Sequence, residues 1–342
     1  MLNYIIKTSS NSDIIFLIIG GLSIFLFGLG LTKENLKSLA SKRLEFFIQN
    51  FTNTTLKAFI VGIVATVLIQ SSSGVTAIVV SFIASGYLTY RQGLAIMIGA
   101  NIGTCTTAFL FGINIEDASL IIISIASILC FLSKKSNQKL VWQAILGIGL
   151  IFLGLQFMGA GFDYVARSKT FSTLITTYAN NFTFSFILGV VLTFVIQSSS
   201  AIIGLLEQIY AAGLLDLTPA IAILLGSNIG TTLTGFIATI STNKEAKKAV
   251  FANVIFNFLG AILFILVLPL FVYSLNYLEH INVASTPELV IAFSHLIFNV
   301  VTAVIAYFLF NYLIKLTDYL YDYKKKTSKK IIPIKGWFFN AC

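Results

Sequence analysis

Long apolar runs dominate the chain, and its polar residues are gathered between them. The runs are continuous and do not alternate with polar residues every second position, which favours membrane helices over the strands of an outer-membrane barrel. Many are long enough to cross a hydrocarbon core of ~30 Å. The pattern predicts full spans at 14–31, 94–113, 118–132, 140–160, 219–240, 249–275 and 289–316. We therefore predict an all-α integral membrane protein.

Composition supports this class. Hydrophobic residues make up 57% of the 342 positions, charged residues only 10%, and the mean hydropathy is +0.93, which is too apolar for a soluble domain. The first run, Ile14 to Leu31, has neither a basic region before it nor a small-residue cleavage site after it. It is interpreted as the first span and not as a signal peptide.

Two shorter paired segments, at 55–85 and 183–212, predict re-entrant helical hairpins. The apolar stretch from Leu56 to Ile69 covers about 21 Å at ~1.5 Å per residue, which is short of the hydrocarbon core. Polar residues follow directly, and a backbone break at membrane depth is tolerated only where it is buried in protein or lines a wet cavity. Each hairpin is therefore expected to turn inside the membrane, at a polar tip.

The two halves of the chain repeat one another at a fixed offset of 127 residues. Gln-Ser-Ser-Ser occurs at 70–73 and 197–200, and Gly-x-Asn-Ile-Gly-Thr at 99–104 and 226–231. Many secondary transporters build one substrate site from two such halves. The predicted divisions are a first repeat at 1–135, a second at 140–275, a final transmembrane helix at 286–318 and a basic tail at 319–342.

The net charge of +9 is explained by topology. If the amino terminus is outside and each hairpin enters and leaves on one side, 19 of the 22 Lys and Arg residues fall on the cytoplasmic side. This predicts a multi-pass protein of the plasma or inner membrane with a cytoplasmic carboxyl terminus. The basic tail is then an anchor to anionic membrane lipid, and no nucleic-acid binding is expected. Each repeat makes three crossings, so the second repeat is expected to be inverted relative to the first.

The polar motifs carry hydroxyls, amides and the free N–H groups of helix amino termini, with no Arg or Lys among them. Such donors suit an oxyanion, and hydroxyl and carbonyl oxygens suit Na⁺. Because a multiply charged anion is costly to desolvate alone, a neutral polar site favours taking up the anion together with cations. A single serine run could equally be interhelical glue, but two runs at one offset favour a site.

The doubled Gln-Ser-Ser-Ser and Asn-Ile-Gly-Thr motifs resemble those of the type II sodium-dependent phosphate cotransporter family, over about residues 15–310. The resemblance implies two inverted repeats with re-entrant hairpins, and a site for inorganic phosphate and Na⁺ as coupling ion, with no other cofactor. The implied substrate and ion site comprises Gln70, Ser71, Ser72, Ser73, Asn101, Thr104, Gln197, Ser198, Ser199, Ser200, Asn228 and Thr231. Among these, Na⁺ is assigned to the six serines with Thr104 and Thr231.

Two further features bear on the site. Segments 253–257 and 295–299 resemble the family's His-x-x-Phe-Asn pattern, although Asn253 stands where His is usual. Glu207 lies in the second hairpin, where the first repeat has Val80. An ionisable residue at membrane depth suggests function, so Glu207 is placed in the candidate site. Both cation coupling and a hydrogen-bonded structural role remain open for it.

The leading hypothesis is therefore sodium-coupled phosphate symport by alternating access. Transport of another anion such as sulfate, phosphate export, and a non-transporting sensor or scaffold are the alternatives. No nucleophile–base or metal constellation is visible, so an enzyme is not expected. The oligomeric state and the number of Na⁺ ions per phosphate are left open.

Overall fold

The computed structural model describes residues 11–113, 118–168, 173 and 181–330, and the regular structure of these residues is helical throughout. The helices are α1 Asn11–Asn50, α2 Thr55–Ile69, α3 Ser72–Ala84, α4 Tyr90–Phe111, α5 Ser119–Leu132, α6 Ser136–Arg167, α7 Phe182–Ile196, α8 Ser199–Ala211, α9 Leu217–Ala238, α10 Lys244–Leu266, α11 Leu268–His280, α12 Pro287–Phe308 and α13 Phe310–Lys330. The predicted all-α class is confirmed.

The surface of this helical assembly is apolar. Large side chains point outward along many helices, and Phe131, Leu266 and Phe308 are each at least 75% exposed. Within the described ranges, six helices (α1, α4, α6, α9, α10 and α12) are long and apolar enough to cross a bilayer. Water would not tolerate so much exposed apolar surface, whereas lipid does. The protein is therefore an all-α multi-pass membrane protein.

Helices α1 and α6 pack closely along their length, through glycines. An added Cβ on Gly21 would lie 2.8 Å from the carbonyl oxygen of Gly154, and one on Gly28 would lie 2.7 Å from that of Gly147. Since one residue number rises as the other falls, the two helices are antiparallel. Gly21 and Gly147 are counterparts at an offset of 126 residues, as are Gly28 and Gly154. This reciprocal pairing is the pattern of a two-fold axis, and it supports the inversion of the repeats, which stays a prediction.

The two hairpins also pack on their neighbours through glycines. Helix α2 crosses α4 at Gly62 and Gly99, and α7 crosses α9 at Gly189 and Gly226. An added Cβ at any of these four positions would overlap a backbone carbonyl oxygen of the facing helix. The first glycine of each Gly-x-Asn-Ile-Gly-Thr motif therefore serves helix packing, and it holds the hairpin against the helix that carries the asparagine and threonine.

Several predicted spans have different bounds in the structure. The first span, predicted to end at residue 31, continues as α1 to Asn50, because residues 32–50 contain polar residues but no glycine or proline to stop a helix. The predicted span at 118–132 is a 14-residue helix, α5, of about 21 Å. That length is below the ~30 Å of the hydrocarbon core, so a crossing at α5 needs the bilayer to thin locally or the flanking polar residues to reach its surface.

Two predicted spans are each divided into two helices. The span at 249–275 is interrupted at Val267, between α10 and α11, and Pro269 in the first turn of α11 explains the break because proline cannot continue the preceding hydrogen-bond ladder. The span at 289–316 is interrupted at Leu309, between α12 and α13. No glycine or proline marks this second break.

Helix α13 packs its polar face on the ends of α4 and α10. The Lys248 ammonium lies 2.5 Å from a carboxylate oxygen of Asp318, and the Tyr90 hydroxyl donates to the same oxygen at 3.0 Å. Arg91 donates to the side-chain oxygen of Asn311. Helix α13 therefore continues into the predicted tail as far as Lys330, while residues 331–342 lie outside the described part.

Candidate functional site

The tips of the two hairpins have the same backbone conformation. Gln70 has φ 54° and ψ 30°, and Gln197 has φ 58° and ψ 26°, so both lie in the left-handed region that glutamine rarely adopts. In each case the backbone N–H donates 2.7 Å to a threonine carbonyl, that of Thr66 or Thr193, which closes the preceding helix. The predicted breaks at the two Gln-Ser-Ser-Ser motifs are thus present, with matching geometry.

The first serine of each motif begins the second helix of its hairpin. The hydroxyl oxygen of Ser71 accepts from the backbone N–H of Gly74 at 3.1 Å, and that of Ser198 accepts from Ala201 at 3.3 Å. These two hydroxyls are therefore helix caps. The capping leaves the N–H groups of the first turn, from the two serines that follow, without intrahelical partners. Such a terminus suits an anion.

Of the four serines that follow the caps, three are buried at these helix starts and Ser73 is half-buried. Ser72 is 8% exposed, and Ser199 and Ser200 are each 5% exposed. Across the described residues, no hydrogen bond links one tip to the other. The two serine runs are accordingly two separate sets of donors, each on its own hairpin.

The two glutamines differ in their surroundings. Gln70 accepts from the Thr107 hydroxyl at 2.8 Å and donates to the Val67 carbonyl at 2.8 Å, so its amide is fixed between α2 and α4. Gln197 is exposed. The hydroxyl of Thr234, the counterpart of Thr107, donates instead to the carbonyl of Thr231. The first tip is therefore held by α4 in a way that the second tip is not held by α9.

The asparagines and threonines of the second motif lie on α4 and α9. Thr104, Asn228 and Thr231 donate to carbonyls one turn earlier in their own helices, at 3.0–3.1 Å. Their side-chain oxygens keep lone pairs for a ligand. Asn101 instead donates to the side-chain oxygen of Asn257 on α10, at 3.3 Å. It thus joins α4 to the first of the two His-x-x-Phe-Asn-like segments.

These two segments supply further buried polar groups beside α4. Asn257 donates to the carbonyl of Asn253, and Asn299 donates to that of His295. The Cys105 thiol contacts the same His295 carbonyl at 3.4 Å, which joins α4 to α12. Within the described part of the chain, His295 Nδ1 and Asn299 Oδ1 are buried without a partner. They are available to a ligand or water.

Glu207 is fully buried on α8. Its side chain has no exposed area, and neither carboxylate oxygen has a hydrogen-bond partner among the described residues. Helix α8 is packed against α4, α6, α9 and α12. A charged carboxylate without a partner in such a place is very costly, so Glu207 needs a proton or a cation there.

Lys33 was not found from the sequence, yet it reaches a predicted site residue. Its ammonium, carried by α1, donates to the hydroxyl oxygen of Ser198 at 2.9 Å. The two residues are 165 positions apart, so no motif joins them. The Gln-Ser-Ser-Ser segments themselves contain no basic residue. In the folded chain, however, Lys33 lies against the second tip.

Comparison with known proteins identifies the family of this chain. The Na⁺/Pi-cotransporter family model matches twice, over residues 24–160 and 154–280. The chain belongs to this family. The double match agrees with the internal repeat seen at the 127-residue offset, and the family is one of transporters.

Three relatives show what the chain is similar to. The uncharacterised protein YqeW of Bacillus subtilis is 33% identical over 82% of this chain and 90% of its own length. The putative inorganic phosphate export protein YjbB of Salmonella typhimurium is 24% identical over 83% of this chain, which spans only about half (51%) of that relative. Human sodium-dependent phosphate transport protein 2B is 37% identical over 27% of this chain and 14% of its own length. No solved structure matches the chain.

Proposed function

We propose that this protein is a sodium-coupled symporter of inorganic phosphate, working by alternating access in the cell membrane. The observation that carries the proposal is the pair of hairpin tips, at Gln70 and Gln197, which share one backbone conformation in two halves of a phosphate-transporter family member. Two half-sites of one design, each at the end of a short helix pair, suit a substrate site formed between two moving halves.

Phosphate is proposed to bind at the amino termini of α3 and α8. The free N–H groups of their first turns, together with the hydroxyls of Ser72, Ser73, Ser199 and Ser200, are donors of the kind that hold an oxyanion. Gln70 and Gln197 set the turn that aims these donors. Phosphate with a proton can also donate a hydrogen bond, which sulfate at neutral pH cannot.

Na⁺ is proposed to bind to oxygens at the same tips. The hydroxyls of the two serine runs, with Thr104 and Thr231, are neutral hard ligands, and Na⁺ prefers oxygen ligands of this kind. Each Na⁺ that crosses a 100 mV potential contributes ~2.3 kcal/mol, so two or three ions would drive phosphate strongly. Asn101 and Asn228, which lie on the same helices as these threonines, are proposed to line the site beside them.

Glu207 is proposed to take part in cation coupling. The carboxylate is buried without a partner on the hairpin that carries the second tip, while the first hairpin has Val80 in its place. A cation or proton bound there would neutralise the charge, and its release would make the buried state unfavourable. Cation binding would thus be coupled to movement of the second hairpin.

Alternating access is proposed to arise from inverted halves. The antiparallel packing of α1 and α6, through reciprocal glycine pairs, supports a two-fold axis in the membrane plane. With the amino terminus outside, the loops rich in Lys and Arg lie in the cytoplasm, and α13 lies at that surface. Rocking of one half against the other would then expose the tips to each side in turn.

The test is uptake of radiolabelled phosphate into proteoliposomes that contain the purified chain. An inward Na⁺ gradient is compared with an equal K⁺ gradient, with and without excess unlabelled sulfate. We expect uptake that requires Na⁺ and is unaffected by sulfate. Uptake of equal rate in K⁺ would contradict sodium coupling, inhibition by sulfate would favour another anion, and no flux from folded protein would favour a sensor or scaffold.

Export is a second candidate, because the relatives that cover most of this chain at 24% identity are named as putative phosphate export proteins. A symporter runs in the direction of its total gradient, so the same site serves either direction. Loading the proteoliposomes with phosphate and Na⁺, and measuring efflux against uptake under mirrored gradients, tests this candidate. Much faster efflux than uptake would favour export.

A further inference from the structure

The ammonium of Lys33 lies at the start of helix α8. It donates to the hydroxyl oxygen of Ser198 at 2.9 Å, and the same oxygen caps α8 by accepting from the N–H of Ala201. Lys33 is half-buried on α1, and its ammonium contacts the second serine run. A full positive charge is thus held beside the proposed phosphate donors of one hairpin.

Among the residues that the structure describes, none places such a charge on the first tip. Ser71 has nearly the same backbone angles as Ser198 and caps its helix in the same way, through Gly74. Over the ranges that the structure describes, no side chain donates to the Ser71 hydroxyl oxygen. The counterpart of Lys33 at the 126-residue offset of the opening helices is Gly159, which has no side chain to offer. The two half-sites therefore match in backbone but differ by one positive charge.

The position of this lysine is unfavourable unless an anion binds there. A helix amino terminus carries partial positive charge, so an ammonium beside it adds like charge to like. No described carboxylate pairs with Lys33, and Glu34, the next residue in the chain, is exposed. A bound phosphate would compensate both the helix terminus and the ammonium. A merely structural lysine would gain more from facing water.

We propose that Lys33 is a built-in cation of the second half-site, which takes the place of one Na⁺ that this tip would otherwise draw from solution. The ammonium carries the charge of Na⁺ and contacts a serine oxygen, as Na⁺ would. Because the lysine stays with the protein, it does not cross the membrane with phosphate. The transporter therefore moves one cation fewer per phosphate than it would with two uncharged tips. This inference rests on the proposed function and specifies its coupling.

The test removes the charge of Lys33 by substitution and measures how many Na⁺ ions accompany each phosphate. Lys33→Met removes the ammonium at similar length, Lys33→Arg keeps a charge, and Lys37→Met removes an exposed lysine one turn along the same helix as a matched control. Phosphate uptake is measured against Na⁺ concentration in proteoliposomes, together with the net charge moved per phosphate. We expect K33M to lose roughly tenfold or more of its uptake at low Na⁺, the scale for a lost charge-assisted hydrogen bond. At high Na⁺ its uptake returns, with activation steeper by one ion and one more charge moved per phosphate.

Chemical rescue separates charge from structure. In Lys33→Cys, attachment of an aminoethyl group through a disulfide restores an ammonium, while a methyl group restores none; the wild-type chain treated in the same way is the control. We expect only the aminoethyl adduct to regain wild-type Na⁺ dependence. Identical Na⁺ activation and charge movement in wild type and K33M, or equal behaviour of the two adducts, would overturn the inference while leaving phosphate symport intact. Absence of phosphate flux in the wild type would instead overturn the proposed function, and this inference with it.

Discussion

The left-handed backbone at Gln70 and Gln197 is an energetic cost that the chain carries twice. A non-glycine residue in this region is strained by the order of 1–3 kcal/mol, and glycine would relieve that strain. Keeping glutamine at both turns is understandable if the side chain is needed there. At Gln70 it is hydrogen-bonded to Thr107. Strain of this kind, at matched places in two halves, supports the proposal that the tips are the functional part of each hairpin.

The serines that follow the caps are predicted to act on substrate and not on folding. Ser72 and Ser199 begin α3 and α8, and their hydroxyls have no hydrogen-bond partner among the described residues. Ser72→Ala and Ser199→Ala should each lower phosphate uptake by about tenfold or more. Thermal unfolding in detergent should be unchanged. Ser124→Ala, at an exposed serine of α5, is the control and should transport normally. Normal uptake in both tip variants would remove these serines from the mechanism.

Glu207 is predicted to matter for cations and not for stability. Glu207→Gln removes the charge while keeping the shape, so the cost of burying an unpaired carboxylate disappears, and the unfolding temperature should stay the same or rise. The Na⁺ concentration for half-maximal uptake should rise about tenfold, since a charged ligand is lost. Glu279→Gln, at an exposed position on α11, is the control. Unchanged Na⁺ dependence in E207Q would assign Glu207 a structural role.

Sequence reasoning reached these residues unevenly. The Gln-Ser-Ser-Ser tips could be predicted because short apolar segments end in polar residues at both copies. Glu207 was found because it is an ionisable residue at membrane depth, where the other repeat has Val80. Lys33 could not be found, because its contact with Ser198 depends on how α1 packs against α8, and that arrangement leaves no local pattern in the chain.

At the scale of elements, glycine decides how closely each hairpin approaches its supporting helix. The pairs Gly62–Gly99 and Gly189–Gly226 allow α2 to touch α4, and α7 to touch α9, with backbone against backbone. Such contacts are typical of membrane helices, which gain stability from close packing when the solvent is lipid. Each hairpin is thereby held against its supporting helix. The hydroxyls of Ser72 and Ser199 at the tips have no hydrogen-bond partner among the described residues.

Substitution of these glycines should therefore destabilise the fold. Gly62→Ala and Gly226→Ala place a methyl group on a facing carbonyl oxygen, and each should cost about 1–3 kcal/mol, as overpacking does. Gly20→Ala is the matched control, because an added Cβ there meets no atom within 4 Å. Thermal unfolding of the purified variants measures the difference. Equal unfolding temperatures for G62A and G20A would contradict this account of the crossing.

Element boundaries were harder to predict than element type. The break at Val267 has a signal in Pro269, which a hydropathy window averages away. The break at Leu309 has no such signal, because it depends on how α13 packs, with its Asp318 bound to Tyr90 and Lys248. Helix α1 passes the end of its apolar run, since charged residues at a membrane surface do not stop a helix.

At the scale of the whole molecule, the two halves match in backbone and differ in charge. The repeat motifs, the tip geometry and the glycine crossings recur, whereas Lys33 and Glu207 belong to the second half-site alone. A site formed by two such halves would bind one phosphate between them, and the charged residues would set which cations accompany it. One shared site and two independent sites therefore differ in the number of phosphates bound per chain.

Calorimetric titration of phosphate into the purified wild-type chain distinguishes one shared phosphate site from two. The titration is made in Na⁺ buffer and repeated in choline buffer at equal ionic strength. We expect one phosphate bound per chain, with affinity that falls when Na⁺ is removed. Two phosphates per chain would show that each tip is a site of its own, and no binding in either buffer would show that the tips are not a phosphate site.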